Sequence, residues 1–233
     1  MLTLAIDTSG ITASCALIED GKVIAEISSR HGKTHSQKIV PMIKTILAML
    51  DKEMKVVDLF AASIGPGSFT GLRIGVVTIK GLAYSLQKPA CGIPTLDALA
   101  YSMPDFKGII SPMLDARNKQ VFTAFYHKSG GIMDKIEPDS GITLKEWINK
   151  AMDMSEDIMV LGDAVDIHLS EIKNALGDRI VCPQQAMTFP RASATALLAE
   201  EAYHNNKISN AFELEPFYLR KSQAERLKKT NEK

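Results

Sequence analysis

The stretch Gly65-Pro66-Gly67-Ser68-Phe69-Thr70-Gly71-Leu72-Arg73-Ile74-Gly75 decides the fold, because it places a glycine-rich turn between a buried strand and a long helix. The apolar run Leu59 to Ile64 predicts the strand, and the proline-free run Phe69 to Leu86 predicts the helix. Free N–H groups at a helix start suit a phosphate or carboxylate, and Gly65 and Gly67 would let the backbone approach it. The run lacks the features of a P-loop and of a dinucleotide fingerprint, so a closely packed structural turn is an equal alternative.

The opening of the chain supplies a second turn. Leu2 to Ile6 predicts a strand that runs into Asp7-Thr8-Ser9-Gly10, and Asp20-Gly21 between two further strand-like runs predicts a β-hairpin. An acid and two hydroxyls in the first turn of such a hairpin are the layout by which actin-like ATPases and sugar kinases hold phosphate and its metal ion. Asp7, Thr8 and Ser9 are therefore candidate nucleotide-binding residues, with simple turn formation as the alternative.

Composition bounds the remaining possibilities. The chain has 233 residues and is 45% hydrophobic, a composition that predicts a globular protein. Its 27 Lys and Arg balance 27 Asp and Glu, so no net charge attracts the protein as a whole to nucleic acid or to membranes. Three widely separated cysteines predict reduced core thiols and not a disulfide framework. The absence of a signal-peptide pattern and of a long apolar span predicts a cytoplasmic protein without membrane contact.

The pattern of strands and helices occurs twice along the chain. The first hundred residues predict three strands, a helix from Ser36 to Leu50, the strand and helix around Gly65, and a short helix from Thr95 to Met103 with Thr95 as its N-cap. The pattern restarts at Gly108, with strands at Ile109–Leu114, Gln120–Tyr126, Ile158–Leu161 and Arg179–Cys182 and helices at Leu144–Met152, Val165–Leu176 and Ala192–Asn205. This predicts a duplicated α/β architecture with subdomains at 1–104 and 105–220 and a basic, frayed tail at 221–233.

Four segments together resemble the bacterial TsaB (YeaZ) family: Ala5 to Ser9, Thr34-His35-Ser36 to Pro41, Gly65 to Gly75, and Glu215-Pro216-Phe217-Tyr218-Leu219-Arg220. The resemblance implies an actin-like ATPase (ASKHA, ribonuclease H-like) fold. It also implies a role in forming N6-threonylcarbamoyladenosine at position 37 of tRNAs that read codons starting with A.

The resemblance further implies that this chain is not the catalyst. The catalytic subunit would be its paralogue TsaD, with the ATPase TsaE as a third subunit and with tRNA bound mainly through the partner. The chain would form a homodimer when alone and would need no cofactor of its own, ATP being used only in the assembled complex. The alternatives are an ATP-dependent small-molecule kinase or ATPase of the same superfamily and an M22-type glycoprotease homologue.

A missing histidine pair supports the non-catalytic prediction. In TsaD an HxxxH pair after the fifth strand binds the metal, and the matching place here carries Thr95 and Leu99, which cannot supply two neutral nitrogen donors. His31 and His35 form another HxxxH, but Gly32 and Thr34 predict a loop there, so a loop or capping role is favoured over a metal role. The sequence therefore predicts no metal site.

Two helices carry more apolar residues than one core-facing stripe needs. In the helix from Ser36 to Leu50 the apolar positions spread over a wide arc, and Gly71 and Gly75 in the next helix would make a flat strip for another helix. From the pattern alone, burial in the chain's own core is an open alternative. In the TsaB family the corresponding helices form the dimerisation face, so the predicted interface residues are Ile39, Ile43, Ile46, Gly71, Leu72, Gly75, Val76 and Ile79.

Three further features have weaker interpretations. Leu161 to Ala164 resembles the glycine turn that superfamily members place near adenosine, which makes Gly162 a candidate, although weak or absent ATP binding is expected. Asp115-Ala116-Arg117 ends a strand and predicts only a surface ion pair or a partner contact. The tail from Arg220 to Lys233 has six cations against two acids and would either touch tRNA phosphates or remain solvated.

Overall fold

Two five-stranded mixed sheets form the frame of the molecule, and the computed structural model describes residues 1–31, 34–184, 187–208 and 211–219. The first sheet has the order β3-β2-β1-β4-β5, with β1 (Leu2–Asp7), β2 (Ala13–Glu19), β3 (Lys22–Ser29), β4 (Leu59–Gly65) and β5 (Ala90–Pro94). The second has the order β10-β9-β6-β7-β8, with β6 (Phe106–Asp115), β7 (Gln120–Ser129), β8 (Ile132–Thr143), β9 (Ile158–Leu161) and β10 (Ile180–Val181). The predicted tail at 221–233 lies outside the described residues.

The two halves repeat one topology. In each half the first three strands are antiparallel neighbours, and the last two run parallel to the first strand on its other side. The helices follow at equivalent points: α1 (His35–Met49), α2 (Phe69–Leu86) and α3 (Thr95–Tyr101), then α4 (Leu144–Asp153), α5 (Asp163–Leu176) and α6 (Ala192–His204). The β1–β2 connection thus corresponds to the β6–β7 connection, and the duplicated α/β fold class is confirmed.

The elements stack in five layers. Helices α1 and α2 cover the outer face of the first sheet, and α4 and α5 cover the outer face of the second. Helix α6 packs on the inner face of the first sheet, α3 packs on the inner face of the second, and the two helices touch. Alternate residues of each strand therefore enter different cores, which explains why the strands read as nearly continuous apolar runs.

Helix α6 belongs spatially to the first sheet, although the predicted division at residue 104 places it with the second half. Its Glu200 accepts hydrogen bonds from Thr3 Oγ1 at 2.9 Å and from Gly21 N at 2.8 Å. The division at residue 104 separates the two sheets, but the chain then returns to complete the first one.

Two elements differ from the sequence expectation. Strand β8 was not predicted, because its mixture of acids, Lys135, Pro138 and Gly141 has no clear alternation; it lies at the edge of the sheet, where such residues are tolerated. Thr95 is not an N-cap, because Pro94 occupies that position and Thr95 is buried inside α3. Among the described residues, no helix combines the length and apolar character needed to cross a membrane.

Candidate functional site

The polar loop after β1 is closed inside the first half. Asp7 is 0% exposed, and Thr8 and Ser9 are each 1% exposed. Asp7 Oδ1 accepts hydrogen bonds from Ser9 N at 2.9 Å and from Ser9 Oγ at 2.8 Å. Burial raises the pKa of Asp7 above its ordinary value, although its interactions with the Ser63 hydroxyl and with Ser9 act in the opposite direction. The carboxyl group therefore serves a buried turn and is not presented to solvent.

The glycine-rich run packs directly against that loop. A Cβ on Gly67 would overlap the carbonyl oxygen of Ser9. A Cβ on Gly71 or on Gly75 would overlap Thr8, at its carbonyl and hydroxyl oxygens respectively. Thr8 Oγ1 also donates a hydrogen bond to Gly71 O at 2.7 Å. The strip of Gly71 and Gly75 that was predicted to meet another helix is therefore already filled by the chain's own Thr8.

The start of α2 has internal hydrogen-bond partners. Ser68 N donates to Ser9 O at 2.6 Å, and the Ser68 hydroxyl caps the helix by accepting from Gly71 N at 3.3 Å. Gly65 has a φ of +125°, and a Cβ there would overlap the carbonyl oxygen of Phe217. The turn at Gly65 to Ser68, which the sequence predicted as a possible anion site, thus packs against the loop after β1 and against the C-terminal segment.

The second half supplies Gly162 at the equivalent place. Gly162 has a φ of +103°, and a Cβ on it would overlap the carbonyl oxygen of Met113. The next residue, Asp163, accepts a hydrogen bond from Asp115 N at 2.9 Å, and burial raises the pKa of Asp163. Gly162 lines a cavity of about 20 Å³ between the two halves together with Gly10, Ile11, Thr12, Arg30, Leu114, Asp163, Asp166, Thr188, Phe189 and Pro190. That volume holds about one water molecule and not an adenosine.

The positions that replace the histidine pair are packed in the core. Thr95 and Leu99 are both 0% exposed, and Leu99 packs in the cluster between α3 and the second sheet. His31 is exposed, whereas His35 is half-buried with Nε2 2.9 Å from Gly10 O. Within the described residues, no three side chains of His, Cys, Asp or Glu are grouped as metal ligands would be.

The side chains predicted to form a dimer interface are buried inside this chain, which corrects that prediction. Their exposed fractions are 1% for Ile39, 2% for Ile43, 0% for Ile46, 0% for Leu72, 3% for Val76 and 0% for Ile79. They face the first sheet, with Gly71 and Gly75 buried beside them. An apolar stripe in a sequence requires a cover, but it does not reveal whether a sheet or a partner supplies it.

The same two helices expose a different set of apolar residues. Val40 is 45% exposed and Met49 68% exposed on α1, and Val77 is 67% exposed and Tyr84 61% exposed on α2. Val77 and Tyr84 are seven residues apart and lie on one side of α2, and we call these two residues the outer helix face; Val40 and Met49 are nine residues apart and lie on opposite sides of α1. Val40 and Met49 lie on the edges of the wide apolar arc read from the sequence, and Val77 directly follows the buried Val76. A search for apolar residues left over after the core stripe would have found them.

The C-terminal motif lies along α2. Phe69 stacks on Tyr218 with ring centroids 4.6 Å apart, and the Arg73 guanidinium lies 4.0 Å from the Phe69 centroid. Arg73 Nε donates to the Tyr218 hydroxyl at 3.1 Å, and Lys80 Nζ donates to Leu214 O at 3.3 Å. The segment 214–219 therefore packs along α2, the helix that carries the outer helix face.

Relatives with curated names match nearly the whole chain. A protein of Bacillus subtilis named tRNA threonylcarbamoyladenosine biosynthesis protein TsaB is 34% identical over 225 residues, which cover 97% of this chain and 96% of the relative. The protein of the same name from Haemophilus influenzae is 29% identical, with 93% of this chain and 92% of the relative covered. The family model described as TsaD, tRNA N6-adenosine threonylcarbamoyltransferase, matches residues 19–228.

Solved structures agree with these matches. A crystal structure from Pseudomonas aeruginosa, described as a protein similar to peptidase YeaZ, has a TM-score of 0.81 at 25% identity and covers 94% of this chain and 99% of its own. YeaZ from Pseudomonas aeruginosa has a TM-score of 0.78 at 24% identity, with the same coverage. The paired sheets and these matches confirm the predicted actin-like ATPase fold class. The sequence and structural matches together show that the chain belongs to the TsaB (YeaZ) family.

Proposed function

We propose that this chain is a non-catalytic subunit in the formation of N6-threonylcarbamoyladenosine in tRNA, and that it acts by pairing with a catalytic subunit of the TsaD type. The observation that carries the proposal is the closed loop at Asp7, where a phosphate-binding acid of the fold is buried under the chain's own glycine turn. The names of the relatives supply the pathway.

Three features support the absence of catalysis by this chain. Asp7 is fully buried, the cavity between the halves holds about one water molecule, and Thr95 and Leu99 lie in the core where imidazoles would be needed. A nucleotide that bridges the halves would have to displace the loop after β1 and widen the cavity beside Gly162. We therefore propose that the chain needs no cofactor, and that ATP is used by the assembled complex.

The outer helix face supports the pairing. Val77 and Tyr84 remain exposed on one side of α2 within the described chain, and the Tyr84 ring lies edge-to-face against Phe212 with ring centroids 4.8 Å apart. Apolar and aromatic side chains of this kind form the cores of protein interfaces. We propose that two copies of this chain pair through this face when alone, that TsaD replaces one copy, and that TsaE joins the pair. In this assembly, tRNA binds mainly through the partner, and the complex works in the cytoplasm.

A reconstituted reaction tests the function. Purified TsaD, TsaE, tRNA, ATP and threonylcarbamoyladenylate are incubated with and without this chain, and the modified nucleoside is measured by mass spectrometry. We expect modification to depend on this chain and the chain alone to produce none. Equal modification without it would remove the subunit role, and ATP hydrolysis or transfer by the chain alone would restore an enzymatic function.

A pair of matched variants tests the surface. Val77→Arg places a charge at the centre of the proposed contact, and Ile132→Arg places the same charge on strand β8, where Ile132 is 70% exposed. Because an unpaired charge in an interface costs roughly 3 kcal/mol or more, we expect Val77→Arg to weaken pairing at least a hundredfold in sedimentation experiments. Ile132→Arg should pair like the wild type. Loss of pairing in both variants, or in neither, would contradict the assignment of the outer helix face.

A further inference from the structure

The β6–β7 turn has an unusual backbone conformation. Arg117, Asn118 and Lys119 have φ values of +61°, +54° and +55°, the only run of three such non-glycine residues in the described part of the chain. L-residues with side chains avoid this left-handed region, which glycine enters freely. We propose that this turn holds Arg117 and Lys119 against the phosphate backbone of tRNA in the assembled complex. The inference rests on the proposed function and adds a direct RNA contact by this chain.

The β7–β8 hairpin shows that the strain is avoidable. Its turn uses Gly130 and Gly131 at φ values of +60° and +77°, whereas the β2–β3 turn combines Asp20 at +48° with Gly21 at +74°. Glycine is the least strained residue at such positions. The β6–β7 turn carries large cationic side chains instead, although the same chain closes its neighbouring hairpin with two glycines. The side chains therefore serve a purpose other than closing the turn.

The backbone of the turn is fixed while its side chains are free. Arg117 N donates to Asp115 Oδ1 at 2.7 Å, and Gln120 N donates to Arg117 O at 3.1 Å. Leu144 N donates to Lys119 O at 2.9 Å, which ties the turn to the start of α4. Residues 117–119 are exposed, and the side chains of Arg117 and Lys119 have no hydrogen bond or ion pair to any described residue. Such a turn can bind a partner without first losing much side-chain solvation or backbone freedom.

The surroundings of the turn favour an anionic ligand. Lys145, next to the Leu144 that anchors the turn, is a third exposed cation. Three acids also lie near the turn and accept backbone hydrogen bonds, Asp115 from Arg117 N, Asp163 from Asp115 N and Glu146 from Thr143 N, but none of them forms an ion pair with Arg117 or Lys119. Exposed cations without a neighbouring apolar side chain are typical of phosphate contacts and not of the core of a protein interface. Because the relatives are named as tRNA threonylcarbamoyladenosine biosynthesis proteins, the phosphate backbone of tRNA is the anionic ligand that we assign to these cations.

A double glycine variant separates charge from structure. Arg117→Gly with Lys119→Gly removes two cations and relieves the strained φ values, so the chain should fold at least as well as the wild type. Lys22→Ala with Lys107→Ala removes two exposed cations elsewhere and is the matched control. Binding of fluorescent tRNA to the complex of TsaD, TsaE and each chain is measured by anisotropy from about 50 to about 200 mM salt, the range over which phosphate contacts are lost.

We expect the glycine variant to reduce the slope of log affinity against log salt by about 1.4 to 1.8, and the affinity at low salt by roughly tenfold, with the control unchanged. A slope equal to that of the wild type overturns the inference. An unchanged slope with weakened pairing to TsaD, or with weakened ATP binding, also overturns it, because the turn would then serve a protein or a nucleotide. If the wild-type chain supports modification while the slopes are equal, only this inference fails; if it does not support modification, the proposed function fails with it.

Discussion

The two halves place an aspartate at the end of equivalent strands and use it differently. Asp7 ends β1 and accepts a hydrogen bond from the backbone N–H two residues on, at Ser9; Asp115 ends β6 and accepts one from Arg117 in the same way. Asp7, Thr8 and Ser9 are 0–1% exposed and only Ile11 of that loop is strongly exposed, at 60%, whereas residues 117–119 of the second turn are all exposed. The aspartate's hydrogen bond is the same in both turns, but the turns differ in backbone conformation beyond it and in what packs against them.

The packing that distinguishes them is a run of glycines. Gly67, Gly71 and Gly75 allow α2 to lie directly on the loop after β1, where any side chain would collide with it. In the second half, Gly162 allows the start of α5 to approach the backbone of Met113, which lies within β6 and not in the turn that follows it. The tip of the β6–β7 turn therefore stays exposed. A duplicated fold therefore becomes asymmetric through a few residues without side chains.

The largest expected effect would come from adding a methyl group to the closed side. Gly71→Ala forces a Cβ into the carbonyl oxygen of Thr8, and we expect the free energy of unfolding to fall by about 3 kcal/mol in urea denaturation. Gly81→Ala on the same helix is the matched control, since its Cβ meets nothing within 4 Å; we expect a gain of ~0.5–1 kcal/mol. Equal effects at the two sites would mean that the loop is not packed against α2.

Measuring stability as a function of pH tests the burial of Asp7 directly. Burial raises the folded-state pKa of Asp7, so its contribution to stability is complete below its unfolded pKa and declines as the pH rises toward the folded value. Asp7→Asn keeps an acceptor for Ser9 and removes the titration. We expect the variant to match the wild type near pH 4 and to be the more stable protein at pH 8 in urea unfolding. A difference that stays constant between these pH values would show that burial does not raise the pKa of Asp7 in the folded protein.

The smallest effect concerns the strained turn. Arg117→Gly relieves one left-handed residue, and we expect the free energy of unfolding to rise by up to about 1 kcal/mol. Gly130→Ala in the third hairpin is the reverse change at a φ of +60° with open space around it, and it should lower stability by about 1 kcal/mol. Thermal unfolding measures both. A loss of stability in Arg117→Gly would mean that the side chain supports the fold and is not held there for a ligand.

The strands and helices with a clear period were predictable from the sequence. Helix α2 has the predicted bounds Phe69 and Leu86, and β9 has the predicted bounds Ile158 and Leu161. Strand β8 was missed, because an edge strand needs apolar residues on few positions. The family was recognised from four short segments, which turn out to be packing elements as much as site residues.

The surface of the candidate site was less predictable. The stripe from Ile39 to Ile46 is apolar because the first sheet covers it, and a sequence pattern does not separate that cover from a partner's. The closure of the Asp7 loop depends on α2 approaching from a position more than sixty residues away, as the bond from Thr8 to Gly71 shows. Within the left-handed run from Arg117 to Lys119 only Asn118 is a residue type that favours this conformation, so the sequence does not reveal that all three residues adopt it.

The return of α6 to the first sheet determines the order in which the protein can mature during synthesis. Thr3 leaves the ribosome early, but the carboxylate that binds its hydroxyl belongs to Glu200, 197 positions later. Until then the inner face of the first sheet, including Ala5, Ile18 and Leu59, is covered in part by α3 and lacks the cover that α6 provides. The half that is synthesised first is therefore completed last. A nascent chain stalled before α6 would expose the apolar inner face of the first sheet to chaperones.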